Sequence, residues 1–133
     1  GVKHCVGVAN GTDAIYIALK MLGIGEGDEV ITTASSWIST SETISQAGGV
    51  PVFVDIDPAT FTIDRTLIES KISSRTKAVI PVHLYGQAAH ITEIRRICDA
   101  HGLFLIEDCA QSHFSKEHNR YVGTFGHAAT FSF

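Results

Sequence analysis

Apolar, β-branched runs alternate along this chain with stretches in which apolar residues recur at helical spacing. The runs are typical of strands, and their near-continuous apolar character predicts strands that are buried on both faces. The predicted strands span residues 4–9, 29–33, 50–55, 78–83, 103–108 and 128–133. Alternation of this kind predicts βαβ units, so we expect a three-layer α/β/α fold around a mostly parallel sheet.

Apolar residues spaced three and four apart predict amphipathic helices between these strands. The two clearest stripes consist of Ile15, Ala18, Leu19 and Leu22, and of Ile91, Ile94, Ile97 and Cys98. A weaker helix, rich in Ser and Thr, is predicted over residues 36–47 and stops at Gly48. Asp64 is expected to cap a short helix that carries Leu67 and Ile68.

Composition and charge limit the possible partners. A chain of 133 residues with 44% hydrophobic and 18% charged residues has the balance of a globular domain with a real core. The net charge is −4, and no basic cluster exceeds the pair Arg95-Arg96, so neither a nucleic acid nor an anionic membrane is expected as a partner. The apolar runs are too short to cross a membrane.

Cysteine use indicates a reducing compartment. Cys5, Cys98 and Cys109 are widely spaced and form no Cys-x-x-Cys pair, which favours neither a disulfide framework nor a structural zinc site. We therefore expect reduced thiols and a cytoplasmic location. The chain begins in a strand-like segment without an initiator Met and stops abruptly, so residues 1–133 are interpreted as part of one domain of a longer protein.

Polar segments follow several predicted strands. In open parallel sheets, ligands bind outside the carboxyl ends of the strands. The segments that this rule selects are residues 10–12, 35–37, 83–86 and 108–113. Gly11 and Thr12 open a helix, where unpaired N–H groups and the helix dipole favour a phosphate. The alternative is that Gly11 only permits a tight turn, while Asn10 or Thr12 caps the helix.

Asp108 ends an apolar strand, where an ionised carboxylate is poorly solvated unless a cation or several donors meet it. A buried carboxylate at this position can hold a protonated ring nitrogen. The alternatives are a metal site with Glu107 and a purely structural cap of the following segment. Adjacent carboxylates on a strand face opposite sides, and only His113 lies nearby, so no metal site is predicted.

Aromatic and imidazole side chains near the strand ends leave further alternatives open. Trp37, the only Trp, follows a strand in a polar setting. Its ring could stack on a flat ligand, or it could fill the core from the first turn of a helix. His83, His113 and His127 are either structural or catalytic, and structural roles are the more common for such residues.

Five motifs together resemble those of one enzyme family. They are residues 6–14 (VGVANGTDA), 50–57 (VPVFVDID), 76–87 (TKAVIPVHLYGQ), 106–111 (IEDCAQ) and 131–133 (FSF). Their order and spacing over essentially the whole chain resemble the DegT/StrS-type sugar aminotransferases, which are fold-type I pyridoxal-phosphate enzymes. The resemblance implies the large domain of such an enzyme, of which residues 1–133 form the N-terminal part.

The resemblance implies a set of residues that bind pyridoxal 5′-phosphate: Gly11, Thr12, Trp37, Asp108, Gln111 and Ser132. The first two would hold the phosphate at the helix start, together with the hydroxyl of Ser132. Trp37 would stack on the pyridine ring, and Gln111 would hydrogen-bond the phenolic oxygen. Asp108 would pair with the ring nitrogen and keep it protonated, which lets the ring accept electrons.

The resemblance also implies a catalytic lysine that follows the Phe-Ser-Phe motif, beyond Phe133. No residue is therefore assigned to the Schiff base. The lysines present, none of which matches that position, are Lys3, Lys20, Lys71, Lys77 and Lys116. Two departures from the family pattern are Cys109, where Ala is more usual, and Phe114, where Gly is usual. Phe114 is expected to reshape the edge of the pocket.

The implied function is the transfer of an amino group from glutamate or a similar donor to a nucleotide-linked keto-sugar. Such a reaction makes amino sugars for surface polysaccharide, lipopolysaccharide or an antibiotic. Family members are dimers with shared active sites, so a homodimer is expected. Residues 1–133 alone are expected to be inactive in transamination, because proton transfer at the substrate carbon needs the missing lysine.

Two other functions stay open. Some relatives have His at the lysine position and use the aminated cofactor to dehydrate sugars, and the discriminating residue lies beyond Phe133. The chain could also be a noncatalytic α/β domain that acts through protein contacts. Asp108, Gln111, Trp37 and the Gly11-Thr12 pair are all retained, which argues against this last possibility.

Overall fold

A five-stranded sheet is the central feature of the computed structural model, which describes all 133 residues. Its strands are β1 (Glu29–Thr33), β2 (Val50–Val54), β3 (Thr76–Ile80), β4 (Phe104–Asp108) and β7 (Ala128–Thr130). A separate hairpin pairs β5 (Lys116–Glu117) with β6 (Arg120–Tyr121). The helices are α1 (Gly11–Met21), α2 (Ser39–Ala47), α3 (Arg65–Ile68) and α4 (Ile91–His101), with a 3-10 turn at Glu69–Lys71.

The sheet has the order β2-β1-β3-β4-β7, and all neighbouring strands are parallel. Alternate residues of a strand face opposite sides of the sheet. On β1, Val30 packs in a cluster with residues of α1 and α2, whereas Ile31 packs with residues of α3 and α4. On β4, Ile106 likewise joins the first cluster and Leu105 the second. The predicted three-layer α/β/α fold is therefore confirmed.

Side-chain caps and glycine set the helix ends. The side chain of Asn10 accepts from the N–H of Asp13 at 2.8 Å at the start of α1. Asp64 accepts from the N–H of Thr66 at 2.9 Å at the start of α3, as predicted. Gly48 ends α2 in the left-handed region, with a φ of 97°. The apolar stripes predicted for α1 and α4 face the core. No helix combines the length and the apolar character that a membrane crossing requires.

The strand predicted over residues 4–9 is absent from the structure. These residues are exposed, and no strand lies beside them to complete their backbone hydrogen bonds. An apolar, β-branched run becomes a strand only where a neighbouring strand pairs with it. The local composition of this segment therefore predicts a strand that its surroundings within the chain do not support.

Three further strand predictions need correction. β2 lies at the edge of the sheet, where Val50 and Phe53 are about half exposed, so the prediction of burial on both faces is wrong for this strand. β3 ends at Ile80 rather than at residue 83, because Pro81 has no N–H to donate to the ladder. The last strand also ends early, at Thr130.

Glu107 on β4 is fully buried and joins three parts of the chain. Its Oε1 accepts from the N–H groups of Phe125 and Gly126, at 2.7 and 2.6 Å. Its Oε2 accepts from the N–H of Gly123 at 2.7 Å and lies 3.1 Å from Nε2 of His83. Burial favours the neutral acid, but the hydrogen bonds from His83 and the glycines hold the pKa of Glu107 below its ordinary value. The loop that precedes β7 is thereby fixed to β4.

His83 is the other half of this buried pair. The N–H of Ala89 donates to Nδ1 of His83 at 3.0 Å, so the ring is neutral and its proton lies on Nε2, which donates to Glu107. Both ring nitrogens are therefore used inside the core. Of the two interpretations of His83, the structural one is favoured.

Glu107→Gln is expected to destabilise the fold by about 2–4 kcal/mol, because an amide cannot accept at both positions and leaves buried N–H groups unsatisfied. The measurement is the free energy of unfolding from urea denaturation. Glu93→Gln is the matched control, since Glu93 is half exposed and pairs with Arg65 at the surface, and a much smaller loss is expected for it. Equal losses for the two variants would contradict the anchoring role of Glu107.

Candidate functional site

A pocket opens at the carboxyl ends of the strands, between the starts of α1 and α2 and the end of β4. All the residues that the resemblance implies for cofactor binding line it: Gly11, Thr12, Trp37, Asp108, Gln111 and Ser132. The other lining residues are Ile15, Ser39, Thr40, Ala110, Thr130 and Phe131. The fold thus brings together side chains from opposite ends of the sequence.

The start of α1 provides unpaired donors at one end of the pocket. Asn10 caps the helix through the N–H of Asp13. The N–H groups of Gly11 and Thr12 donate to no atom of the chain. The sequence leaves a helix cap and a phosphate site at the helix start as alternatives. In the structure, a capped helix and unpaired N–H groups that can bind an anion occur together. The hydroxyl of Thr12 donates to that of Ser39 at 2.8 Å, which adds a second hydroxyl to this end.

Gly11 is required by a close approach between two segments. A Cβ atom at this position would lie 2.8 Å from Cβ of Ser132, a separation that real contacts essentially never show. Because Gly11 has no side chain, the segment after β7 passes directly against the start of α1. The hydroxyl of Ser132 and the free N–H groups of α1 therefore line the same space, which suits a small anion.

Asp108 lines the pocket with 5% of its surface exposed and has only two hydrogen-bond donors. Its Oδ2 accepts from Oγ1 of Thr40 at 3.0 Å, and its Oδ1 accepts from the N–H of Ala110 at 3.2 Å. As a structural cap of the following segment, which is the alternative role of Asp108, the carboxylate therefore uses only Oδ1. Burial raises the pKa of Asp108 above its ordinary value, although the hydrogen bonds from Ala110 and Thr40 oppose the rise. The carboxylate forms no ion pair, so a cationic ligand would stabilise it.

Trp37 and Gln111 are exposed residues of the pocket wall. Trp37 is 74% exposed, so the alternative in which it fills the core is wrong. α2 begins at Ser39 rather than at residue 36, which leaves Trp37 in the preceding loop. The Ser and Thr hydroxyls of this segment compete with the helix for partners. Oε1 of Gln111 accepts from the N–H of Tyr85 at 3.3 Å, which leaves its amide nitrogen free to donate.

Three other candidates lie outside the pocket. His113 packs against Phe131 with ring centroids 5.7 Å apart, and Nδ1 of His127 accepts from the N–H of Leu105 at 3.0 Å. Both contacts are structural. Phe114 is largely exposed and does not line the pocket, so the expectation that it reshapes the pocket edge is wrong. Its φ of 64° lies in the left-handed region, which explains why Gly suits this position.

His83, Glu107 and Cys109 bring one potential ligand atom each to within 4.8 Å of one another. The imidazole nitrogens and the carboxylate oxygens are already engaged in the hydrogen bonds between β4, Ala89 and residues 123–126. Burial and the nearby carboxylates also raise the pKa of Cys109, which disfavours the thiolate that a metal needs. Packing and hydrogen bonding therefore account for this cluster.

None of the five lysines lines the pocket. Lys20 donates to the carbonyl of Ala47, and Lys116 lies over the ring of Tyr121, 4.4 Å from its centroid. Residues 1–133 therefore supply groups that can bind an anion and a protonated ring, with no amine beside them.

Ser39 and Thr40 line the pocket but are not identified from the sequence. A signal for them exists in the pattern of α2. Its buried face combines Ile44 and Ala47 with the hydroxyls of Ser39, Thr40 and Thr43. A helix that turns hydroxyls towards the core must provide partners for them, which points to a polar site beside it.

Sequence comparisons place the chain among known proteins. The DegT/DnrJ/EryC1/StrS aminotransferase family matches residues 1–133. The chain is 53% identical to the "Pleiotropic regulatory protein" of Geobacillus stearothermophilus, over 98% of this chain and 35% of that protein. It is 45% identical to the dTDP-3-amino-3,4,6-trideoxy-alpha-D-glucose transaminase of Micromonospora megalomicea subsp. nigra, over 100% of this chain and 36% of the relative. The chain thus spans about a third of the length of these curated relatives.

Among solved structures, the chain is similar to S. venezuelae DesV in complex with a ketimine intermediate. The TM-score is 0.91, with 42% identity over 96% of this chain and 34% of that chain. This likeness covers the parallel sheet and its flanking helices, and homologues of the chain include aminotransferases of sugars. By sequence and by structure, the chain belongs to the DegT/DnrJ/EryC1/StrS aminotransferase family, whose enzymes depend on pyridoxal 5′-phosphate.

Proposed function

We propose that the protein containing this chain is a pyridoxal-phosphate-dependent sugar aminotransferase. It transfers an amino group from glutamate or a similar amino acid to a nucleotide-linked keto-sugar, in amino-sugar biosynthesis. One observation carries the proposal: the same pocket holds Asp108, a buried carboxylate without a cation, and the free N–H groups of Gly11 and Thr12. The similarity to a transaminase of a dTDP-linked sugar supports a nucleotide-linked substrate.

The pocket residues fit pyridoxal phosphate at both of its charged ends. The N–H groups of Gly11 and Thr12 would hold the phosphate, with hydroxyl donors from Ser39 and Ser132. At the other end, Asp108 would hold the pyridinium nitrogen, whose charge would offset the burial of the carboxylate. When bound, the cofactor supplies an electron-accepting ring for cleavage of the Cα–H bond of the amino donor.

Three side chains of the pocket orient the ring and set its charge. Asp108 holds the proton on the ring nitrogen, because a carboxylate beside a pyridinium stabilises the charged form. Gln111 would donate from its amide nitrogen to the phenolic oxygen, since its Oε1 accepts from the N–H of Tyr85. Trp37 lines the pocket and would stack on a face of the ring, which would exclude water from that face.

The catalytic lysine of the proposed enzyme follows the Phe-Ser-Phe motif, as the family resemblance implies, and the absence of a lysine among the residues that line the pocket supports this. Residues 1–133 alone are therefore inactive in transamination. The full-length protein is a cytoplasmic homodimer with active sites shared between its copies, in keeping with the family resemblance. The free thiols of Cys5, Cys98 and Cys109 support a reducing compartment.

A second candidate function is regulation by a protein that binds the cofactor without transferring nitrogen. The name of the Geobacillus stearothermophilus relative favours it. The buried charge of Asp108 favours the enzyme instead, because binding alone does not require a protonated ring, whereas electron withdrawal during catalysis does.

The full-length protein, supplied with pyridoxal phosphate, glutamate and a dTDP-linked keto-sugar, is expected to form a dTDP-linked amino sugar that mass spectrometry detects. Asp108→Asn is expected to lower kcat by roughly a hundredfold or more, because an amide does not hold the ring nitrogen protonated. Asp99→Asn is the matched control, since Asp99 is exposed and pairs with Arg95 on the surface, and it should retain the wild-type rate. Cofactor binding without nitrogen transfer in the wild-type protein would favour the regulatory candidate instead.

Gly11→Ala is expected to weaken the binding of pyridoxal phosphate by about ten- to a hundredfold, because the added Cβ displaces Ser132 from the start of α1. Fluorescence titration of the full-length protein measures the affinity. Gly25→Ala is the matched control, because a Cβ there meets no atom within 4 Å and its φ lies outside the left-handed region. If Gly11→Ala binds as tightly as the wild type, the phosphate does not lie at the start of α1.

A further inference from the structure

Helix α2 carries hydroxyl groups on the face that it buries. Ser39, Thr40 and Thr43 are each less than a tenth exposed. A buried hydroxyl costs free energy unless it is hydrogen-bonded. The hydroxyl of Thr43 stays within the helix and donates to the carbonyls of Ser39 and Thr40, at 2.8 and 3.2 Å. The hydroxyl of Thr40 instead donates outside the helix, to the carboxylate of Asp108 at the end of β4.

The hydrogen bonds around Thr40 have a fixed direction. An ionised carboxylate only accepts, so the single proton of the Thr40 hydroxyl must point to Oδ2 of Asp108, 3.0 Å away. Oγ of Ser36 lies 3.1 Å from the same Thr40 oxygen and must therefore donate to it. The result is a chain of donors from Ser36 through Thr40 to Asp108, in which each hydrogen bond polarises the next.

Thr40 ties the carboxylate of Asp108 to a different element of the fold. The second donor to this carboxylate, the N–H of Ala110, lies two residues further along the same segment and moves with it. Thr40 is 2% exposed and belongs to the helix that follows Trp37, whose ring lines the same pocket. One hydroxyl therefore fixes the orientation of Asp108 relative to the wall of the pocket that carries Trp37.

Few ionisable groups lie near Asp108. The imidazole of His83 is engaged with Glu107, Glu107 and Cys109 are the neighbours of Asp108 along the chain, and no Lys or Arg pairs with it. Burial raises the pKa of Asp108, and its two hydrogen bonds lower it. Loss of the Thr40 hydroxyl therefore shifts the balance further towards the neutral acid, which cannot hold a pyridinium.

We propose that Thr40 is a positioning residue. Its hydroxyl orients the carboxylate of Asp108 towards the ring nitrogen of the bound cofactor, so that the carboxylate can accept a hydrogen bond from the protonated nitrogen. Thr40 acts on the cofactor through Asp108. The identity of the ligand rests on the proposed function, whereas the hydrogen bond and its effect on Asp108 do not.

The test compares three variants of the full-length protein. Thr40→Val removes the hydroxyl with little change of shape, and Thr40→Ser retains it. Thr43→Val removes a buried hydroxyl from the same helix face that does not contact Asp108. Carbon NMR follows the titration of the Asp108 carboxyl group without ligand. Thr40→Val is expected to raise the pKa of Asp108, while the other two variants keep it close to the wild-type value. An unchanged pKa in Thr40→Val would overturn the proposal.

The same variants are then titrated with pyridoxal phosphate and with an analogue in which carbon replaces the ring nitrogen. Thr40→Val is expected to bind pyridoxal phosphate about tenfold more weakly. It should bind the analogue with unchanged affinity, because the analogue has no nitrogen for Asp108 to hold. Equal losses for both ligands would overturn the proposal, since they indicate a general disturbance of the pocket. A wild-type protein that binds neither ligand would contradict the proposed function, and the NMR titration would still decide the effect of Thr40 on Asp108.

Discussion

Two adjacent carboxylates on β4 point to opposite faces of the sheet, and the rest of the structure depends on this alternation. Glu107 shares its face with Leu105, on the side of α4. Asp108 shares its face with Ile106, on the side of α1 and α2. Four donors meet Glu107, so its buried charge fixes the loop before β7 to the sheet. The segment after β7 then brings Ser132 to the start of α1.

Asp108 is left with two donors and no cation, although it is nearly as buried as Glu107. Such a group costs stability in the free protein, and proteins retain it where a ligand completes its contacts. The N–H groups of Gly11 and Thr12 lack acceptors in the same way. The pocket thus contains an unmatched carboxylate and an unmatched pair of donors. This pattern is complementary to a ligand that carries a protonated ring nitrogen at one end and a phosphate at the other.

Short-range patterns in the sequence predict much of this arrangement. Helical stripes, helix caps and the polar residues that follow strands are local features, so they give the fold class and part of the pocket, namely Gly11, Thr12, Trp37, Asp108 and Gln111. Ser132 is predicted only through the family resemblance, and Ser39 and Thr40 are not predicted. The contacts that set the state of each carboxylate are not local: His83 and Glu107 are 24 residues apart, and Thr40 and Asp108 are 68 residues apart. Residues 4–9 differ from prediction for a related reason, because a strand also needs a neighbour that its own pattern cannot reveal.

The contrast between the two carboxylates is tested most directly by a carbon NMR titration of Glu107 and Asp108 in the ligand-free protein. Despite its burial, Glu107 should have a pKa below the ordinary glutamate value, because His83 and the loop before β7 donate hydrogen bonds to it. The stabilising effect of the ionised Glu107 should therefore be lost as the pH falls through that pKa. Asp108 should have a pKa above the ordinary aspartate value, because burial outweighs its two hydrogen bonds, and stability should fall as the pH rises through it. Shifts of the two pKa values in the same direction would contradict the division of roles between them.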